Sequence, residues 1–220
     1  MVRPSTFRRF TRPGFRSVSR HWDWAVLTVL VLLGLRGWLR SGYLASTRLE
    51  MVPELSIIWM ARQRILEGGL LTEWAPYEFA GFPLVRFLSY PLYDGLALLS
   101  ILTGASLEYL FKAGFLLAYV FSALALYEYA HELTKSRAAS VVAGLAYAIF
   151  PFHLHAASEA WVHALFWALL PLPFLLYERS RKAPTLRVRD ALVLGLLLGF
   201  LPIVNSEHAL LLIPFLGAYI

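Results

Sequence analysis

The sequence predicts an all-α, polytopic helical membrane protein whose long first outer loop carries interfacial helices. Three observations predict it. Hydrophobic residues make up 59% of the 220-residue chain and charged residues only 15%, against about 45–50% and about 25% in a soluble domain of average usage; the mean hydropathy is +0.61. The excess is clustered. No formal charge falls between Ala138 and Ser158 or between Ala160 and Tyr177, and runs of this length reach across a hydrocarbon core of roughly 30 Å. The net charge of +6 comes largely from Arg3, Arg8, Arg9, Arg12, Arg16 and Arg20, ahead of the first apolar segment.

Residues 1–22 read as a basic cytoplasmic tail and residues 23–220 as one membrane module. A basic tail is a nucleic-acid arm in some proteins, but arginines beside a first apolar run retain that terminus in the cytoplasm. No nucleic-acid partner is therefore expected. A cleavable signal peptide is disfavoured, because no small-residue cleavage motif follows Gly34 and arginines interrupt the end of the run. The chain contains no cysteine, which excludes disulfides and thiolate metal sites. It stops inside the apolar run "HALLLIPFLGAYI" with no polar flank, so the module is expected to be truncated at its carboxyl end.

The first span is expected over Trp24–Trp38, with Trp22, Trp24 and Trp38 at the interfaces and Arg36 and Arg40 snorkelling or paired at the far side. Ser41–Tyr90 forms the long outer section. Within it, "PELSIIWMARQRILEGG" reads as a short interfacial helix, with Pro53 in its first turn and Gly68-Gly69 ending it. Leu55, Ile58, Trp59, Arg62 and Leu66 recur at three- and four-residue spacing, so the helix lies flat with one apolar face in the bilayer surface. Further spans are expected near Pro91–Leu102, Leu107–Tyr129, Ala138–Phe150, Ala160–Tyr177, Ala191–Val204 and His208–Ile220. The basic connectors "HELTKSR" and "ERSRKAPTLRVR" should be cytoplasmic. If every candidate crosses, "HELTKSR" lands outside. Making Pro91–Leu102 a re-entrant helix, about 18 Å long at about 1.5 Å per residue, returns it to the side of the tail.

Ionisable residues at membrane depth or at its outer edge are functional candidates. Arg48, Glu50 and Glu54 follow the first span. Glu50 and Glu54 are four apart, so on a helix both carboxylates face one way, although Pro53 weighs against one continuous helix through both. Such a pair can bind a divalent cation or take a proton from an acceptor hydroxyl; a solvated loop with a surface pair to Arg48 is the plainer alternative. In "PFHLHAASEAWVH", His155, Glu159 and His163 recur at four-residue intervals beside His153. A helix there would gather a face able to coordinate a metal or grip a phosphate. The H-E-x-x-H pattern of a zinc hydrolase is absent, and interfacial histidines bound to backbone and water explain the group equally well. "NSEH", Asn205–His208, is a short polar turn between apolar runs, and Asp94 in "YPLYDG" joins the set. Where these clusters converge on one face of the membrane they define a site.

The stretch "WAPYEFAGFPLVRFLSYPLY" is too aromatic and proline-rich for a spanning helix and too apolar for a solvated loop. Proline removes backbone donors and aromatic rings tolerate a half-wet interface, which suits a lid over a lipid-linked headgroup.

The order of these features is similar to that of the GT-C superfamily of polytopic glycosyltransferases. A first span leads to an outer loop with an acidic start and an interfacial helix; then come W-x-P-Y-x-x-x-G-[FY]-P, Y-P-L and "PFHLHA…FWALLPLPFLLYE". Within that superfamily the chain most resembles the bacterial 6-pyruvoyl-tetrahydropterin-synthase-related membrane proteins, a label that carries no pterin chemistry. The resemblance covers roughly Trp24–Ile220 and makes residues 23–220 a GT-C-like transmembrane module. It implies a transferase in the bacterial plasma membrane. The enzyme would move a sugar from a polyprenyl-phosphate donor to an acceptor hydroxyl on the non-cytoplasmic face, with that lipid-linked sugar and membrane lipid as partners. Family members carry the catalytic base on an acidic residue of the first outer loop, usually Asp; here Glu50 and Glu54 stand at that place. His153, His155 and Glu159 match the family's second outer loop and would contact phosphate or a divalent metal, with Arg48 near the phosphate and Asp94 and His208 lining the substrate. The same scaffold also suits a non-catalytic lipid-carrier protein, flippase or transporter, or an inert assembly subunit.

Overall fold

The computed structural model describes residues 13–37, 51–68, 74–75, 82–83, 90–150, 161–183 and 188–219. These are helical apart from one minimal ladder. In chain order the helices are α1 (Pro13–Gly34), α2 (Met51–Leu66), α3 (Tyr90–Thr103), α4 (Leu107–Thr134), α5 (Arg137–Ala148), α6 (Trp161–Leu169), α7 (Pro171–Lys182), α8 (Val188–Val204) and α9 (Ser206–Tyr219). The opening aromatic stretch contributes β1 (Trp74–Ala75) and β2 (Phe82–Pro83), paired antiparallel with Trp74 opposite Pro83 and Ala75 opposite Phe82.

Local sequence accounts for several boundaries. Helix α1 starts at Pro13, inside the segment expected to be tail, because proline is tolerated in a first turn where its missing N–H has no helical partner. Pro53 sits in the first turn of α2 for the same reason. Ser106 caps α4 by accepting the Tyr109 N–H at 3.2 Å, and Ser136 caps α5 by accepting from Ala139 at 3.3 Å. Between them the turn closes on Lys135, in the left-handed region at φ 57°. Leu170 keeps helical dihedrals and donates its N–H to Phe166 at 3.0 Å. The break before Pro171 therefore leaves α6 and α7 as one rod.

Helix α4 is the hub, packing against α1, α2, α3, α5, α6 and α7; α8 and α9 pack on each other and join through α6 and α7. One core gathers Leu27, Val31, Phe111, Phe115, Tyr119 and Tyr127. A second holds Phe166, Leu201, Val204, Ala209 and Leu212. The α4–α5 contact is close: a Cβ built on Gly144 would lie 2.5 Å from the Ala123 carbonyl oxygen. Only glycine allows that approach.

Among the described residues, α4 is the one helix long and apolar enough to cross a membrane; His21–Gly34, Leu92–Thr103 and His208–Tyr219 are shorter apolar stretches. Large apolar side chains nonetheless face outward on α1, α8 and α9, including Val29, Leu33, Leu192, Leu196, Leu210 and Phe215. An apolar surface of this extent needs a cover.

The chain reverses so that the middle of α1, at Asp23 and Trp24, the carboxyl ends of α4, α7 and α9 and the start of α5 meet at one end of the bundle. There Arg137 grips Asp23 with two donors, Nε at 2.7 Å and Nη2 at 2.5 Å, while the Tyr127 hydroxyl donates to the same carboxylate at 2.7 Å. Glu128 accepts from Arg179 at 2.9 Å and from the Trp24 indole at 3.1 Å. Glu132 pairs with Lys135 and Lys182, and Glu178 with Arg181, Lys182 and the Tyr219 hydroxyl. "HELTKSR" and the start of "ERSRKAPTLRVR" thus lie together beside α1. This is the basic end.

Candidate functional site

The opposite end collects the polar groups that the basic end does not use. Glu54, in the first turn of α2, is 6% exposed and accepts the Tyr93 hydroxyl at 2.6 Å across 39 residues of sequence. Burial of an ionisable carboxylate demands such a donor. Asp94 follows on α3. Its Oδ1 is buried and has no hydrogen-bond partner among the described residues, and burial pushes its carboxyl up to about 6. Helix α3 has 14 residues, about 21 Å at the helical rise, which is short of a bilayer core.

A second group sits where α6 and α9 begin. The His208 backbone N–H donates to Asn205 Oδ1 at 2.9 Å, which fixes the amide oxygen as the acceptor. The His208 ring approaches the same oxygen through Nδ1 at 2.8 Å. Nδ1 therefore carries a proton, and Nε2 is the ring atom that changes between acceptor and donor. The His163 ring meets His208 edge-on at 4.9 Å between centroids. His163 Nδ1 is buried without a hydrogen-bond partner among the described residues. Phe166 and Trp167 close around His208 at 5.4 and 5.5 Å. Leu92, next to Tyr93, packs against both cores and ties the carboxylate group to the histidine group.

Of the residues expected from sequence, the structure thus brings Glu54 and Asp94 to neighbouring helices and sets His208 on the adjoining core. Arg48, Glu50, His153, His155 and Glu159 lie outside the described residues. No group of three or more possible metal ligands occurs among the described residues. Sequence reasoning missed Tyr93 as the partner of Glu54. Its signal was faint: a tyrosine next to Asp94 in "YPLYDG", with nothing to indicate its distant acceptor. His163 was visible only as one step in a four-residue pattern, and its contact with His208 spans two separate helices.

Chemically, the site combines a buried carboxylate held by a phenol, a second carboxyl raised by burial to about 6, and two adjacent imidazoles. A carboxyl raised in this way can serve as a proton acceptor or donor. No protein-family description matches the chain, and no curated protein or solved structure is detectably similar to it.

Proposed function

We propose that the chain is a polytopic membrane glycosyltransferase of GT-C type, transferring a sugar from a polyprenyl-phosphate donor to an acceptor hydroxyl. The observation that carries this reading is the meeting of the basic connectors at one end of the bundle. Arg137, Arg179, Arg181 and Lys182 meet at one end of the bundle, whereas Glu54, Asp94, His163 and His208 occupy the other. Basic connectors favour the cytoplasmic side, so the carboxylate and histidine groups belong to the outer face. The outward apolar faces of α1, α8 and α9 are the surface that lipid would cover.

In this reading the side of the basic connectors, rather than helix length, sets the crossings: α1, α4, α5, the α6–α7 rod, α8 and α9 cross the membrane while α3 enters and returns. Glu50 remains the first candidate for the base, with Glu54 and Asp94 completing the acidic group. Asp94, elevated by burial, is matched to proton abstraction near neutral pH. Glu54, engaged by Tyr93, holds α2 against α3. The imidazoles of His163 and His208, with Arg48 and His155 from the outer loops, would stabilise charge developing on the leaving phosphate. A divalent cation fits the same chemistry.

Membranes containing the protein, given a panel of labelled polyprenyl-phosphate sugars, test this directly. Label should leave the lipid with wild type and fall steeply with Glu50→Gln and Asp94→Asn. Donor binding without turnover, unchanged by either substitution, would replace the transferase with the lipid-carrier or flippase reading. Loss with Asp94→Asn alone would move the base from Glu50 to Asp94.

A further inference from the structure

A cavity of about 630 Å³ opens between α2 and the turn joining α3 to α4, lined by residues that the transfer chemistry does not use. Leu55, Trp59 and Arg62 stand at i, i+4 and i+7 along one face of α2, and Ser106, Leu107 and Glu108 form the opposite wall. Arg62 Nε is shielded from solvent and has no hydrogen-bond partner among the described residues. A guanidinium N–H in that state is costly unless something fills the gap. Glu108 lines the same cavity, yet no ion pair joins it to Arg62; the arginine of α2 that does form one is Arg64, with Glu67.

Two opposite charges therefore face one cavity without neutralising each other. A simple anion would meet Arg62 and be repelled by Glu108; a simple cation would meet the reverse. The wall at Ser106 adds the amino end of a 28-residue helix, where Ser106 already serves the Tyr109 N–H and the Leu107 and Glu108 N–H groups point the same way. Glu108, in the first turn of that helix, already answers its positive end, so the anionic part of a ligand is left to Arg62 and the cationic part to Glu108. Trp59 is half exposed, and an indole face suits a cation. Leu55 and Leu107 supply apolar contact next to these charges.

We propose that this cavity binds the headgroup of a zwitterionic phospholipid, a phosphoethanolamine with its phosphate on Arg62 and its ammonium on Glu108. The first carbons of the acyl chains run along Leu55 and Leu107. The site lies at the end opposite the basic connectors, where α2 rests at the interface, and it needs no sugar donor. Its failure and that of the transferase reading are separate results.

Calorimetric titration of the full chain in neutral detergent tests the assignment, using short-chain phosphatidylethanolamine, phosphatidylglycerol of the same chains, and inorganic phosphate. Phosphatidylethanolamine should bind about tenfold tighter than either competitor, and Arg62→Gln should weaken both lipids about tenfold or more. Glu108→Gln should reverse the lipid order, because it removes the ammonium's partner and the repulsion of a net anion together. Arg64→Gln should change nothing. Arg62→Lys keeps the charge and guards against loss of the fold in Arg62→Gln; it should retain the wild-type order of lipids. The proposal is overturned by equal binding of the two lipids without reversal in Glu108→Gln. Inorganic phosphate binding as tightly as the lipid, or an Arg64→Gln effect equal to that of Arg62→Gln, also overturns it.

Discussion

At the basic end, Asp23, Glu128, Glu132 and Glu178 each meet at least one arginine or lysine; at the opposite end, Glu54 meets a phenol and Asp94 keeps a buried oxygen with no partner among the described residues. The consequences for protonation run in opposite directions. The Arg137 guanidinium holds the Asp23 carboxyl below its ordinary value. Lys135 does the same for Glu132, and the Tyr219 hydroxyl together with Arg181 for Glu178. Burial without a cation raises Asp94 instead. Paired carboxylates fasten helices; an unpaired one retains the free energy to exchange a proton. One end of this bundle clasps five chain segments, and at the other the burial of Asp94 without a cation is a cost in stability.

The largest way to break this division is to part the helices between the two ends. Gly144→Val drives a side chain into the Ala123 carbonyl, with Leu27 and Tyr127 leaving no retreat. It should cost about 3 kcal/mol, read as a lowered thermal midpoint in detergent and loss of activity in proportion to unfolding. Gly199→Ala, with open space at that position, should be neutral or slightly stabilising.

Asp94→Asn sharpens the comparison. Its folded value of about 6 lies above the ordinary 3.8, so the ionised group opposes folding as pH rises through that window. The substitution should leave neutral-pH stability unchanged or higher and, on the proposed function, lower sugar transfer about 100-fold; a rise of that transfer through about pH 6 should disappear with it.

Asp23→Asn should act in the other sense, lowering the thermal midpoint by a few degrees with little change in turnover per folded molecule. Because Asp23, Glu132 and Glu178 are depressed in the folded chain, their contribution is complete above the unfolded values of 3.8 and 4.5. It is lost as pH falls through the lower folded values. An acid titration by circular dichroism should therefore show a shallower loss in Asp23→Asn than in wild type. Arg64→Ala, which breaks an exposed pair with Glu67 at 3.7 Å, should move stability by less than about 0.5 kcal/mol.

The helices were legible because each leaves a local record. Apolar runs and Pro53 marked helices, and the observed limits Leu107–Thr134 and Val188–Val204 overlap the expected Leu107–Tyr129 and Ala191–Val204. The helix expected in "PELSIIWMARQRILEGG" came through as α2 and the short one after it as α3. The aromatic stretch was legible as a non-helical segment, whereas the pairing of Trp74–Ala75 with Phe82–Pro83 was not. Two-residue strands carry no alternation to detect. At the site, Glu54, Asp94 and His208 could be named as candidates because charge and imidazole in apolar surroundings are conspicuous. Their partners could not be named. A tyrosine 39 residues from its acceptor and a histidine beside another on a different helix leave no mark in spacing.

Composition and charge order by themselves determined a helical chain with an apolar surplus and three basic segments, because propensity, hydropathy and charge act locally or as sums. Only the tertiary structure decided which carboxylates are neutralised and which are left to titrate, since this depends on which cation the fold brings within a few ångströms. It likewise set Arg62 and Glu108 on facing walls without contact. Electrostatic and hydrogen-bond energies fall off within a few ångströms of contact, and distances across a bundle are fixed by packing rather than by position along the chain.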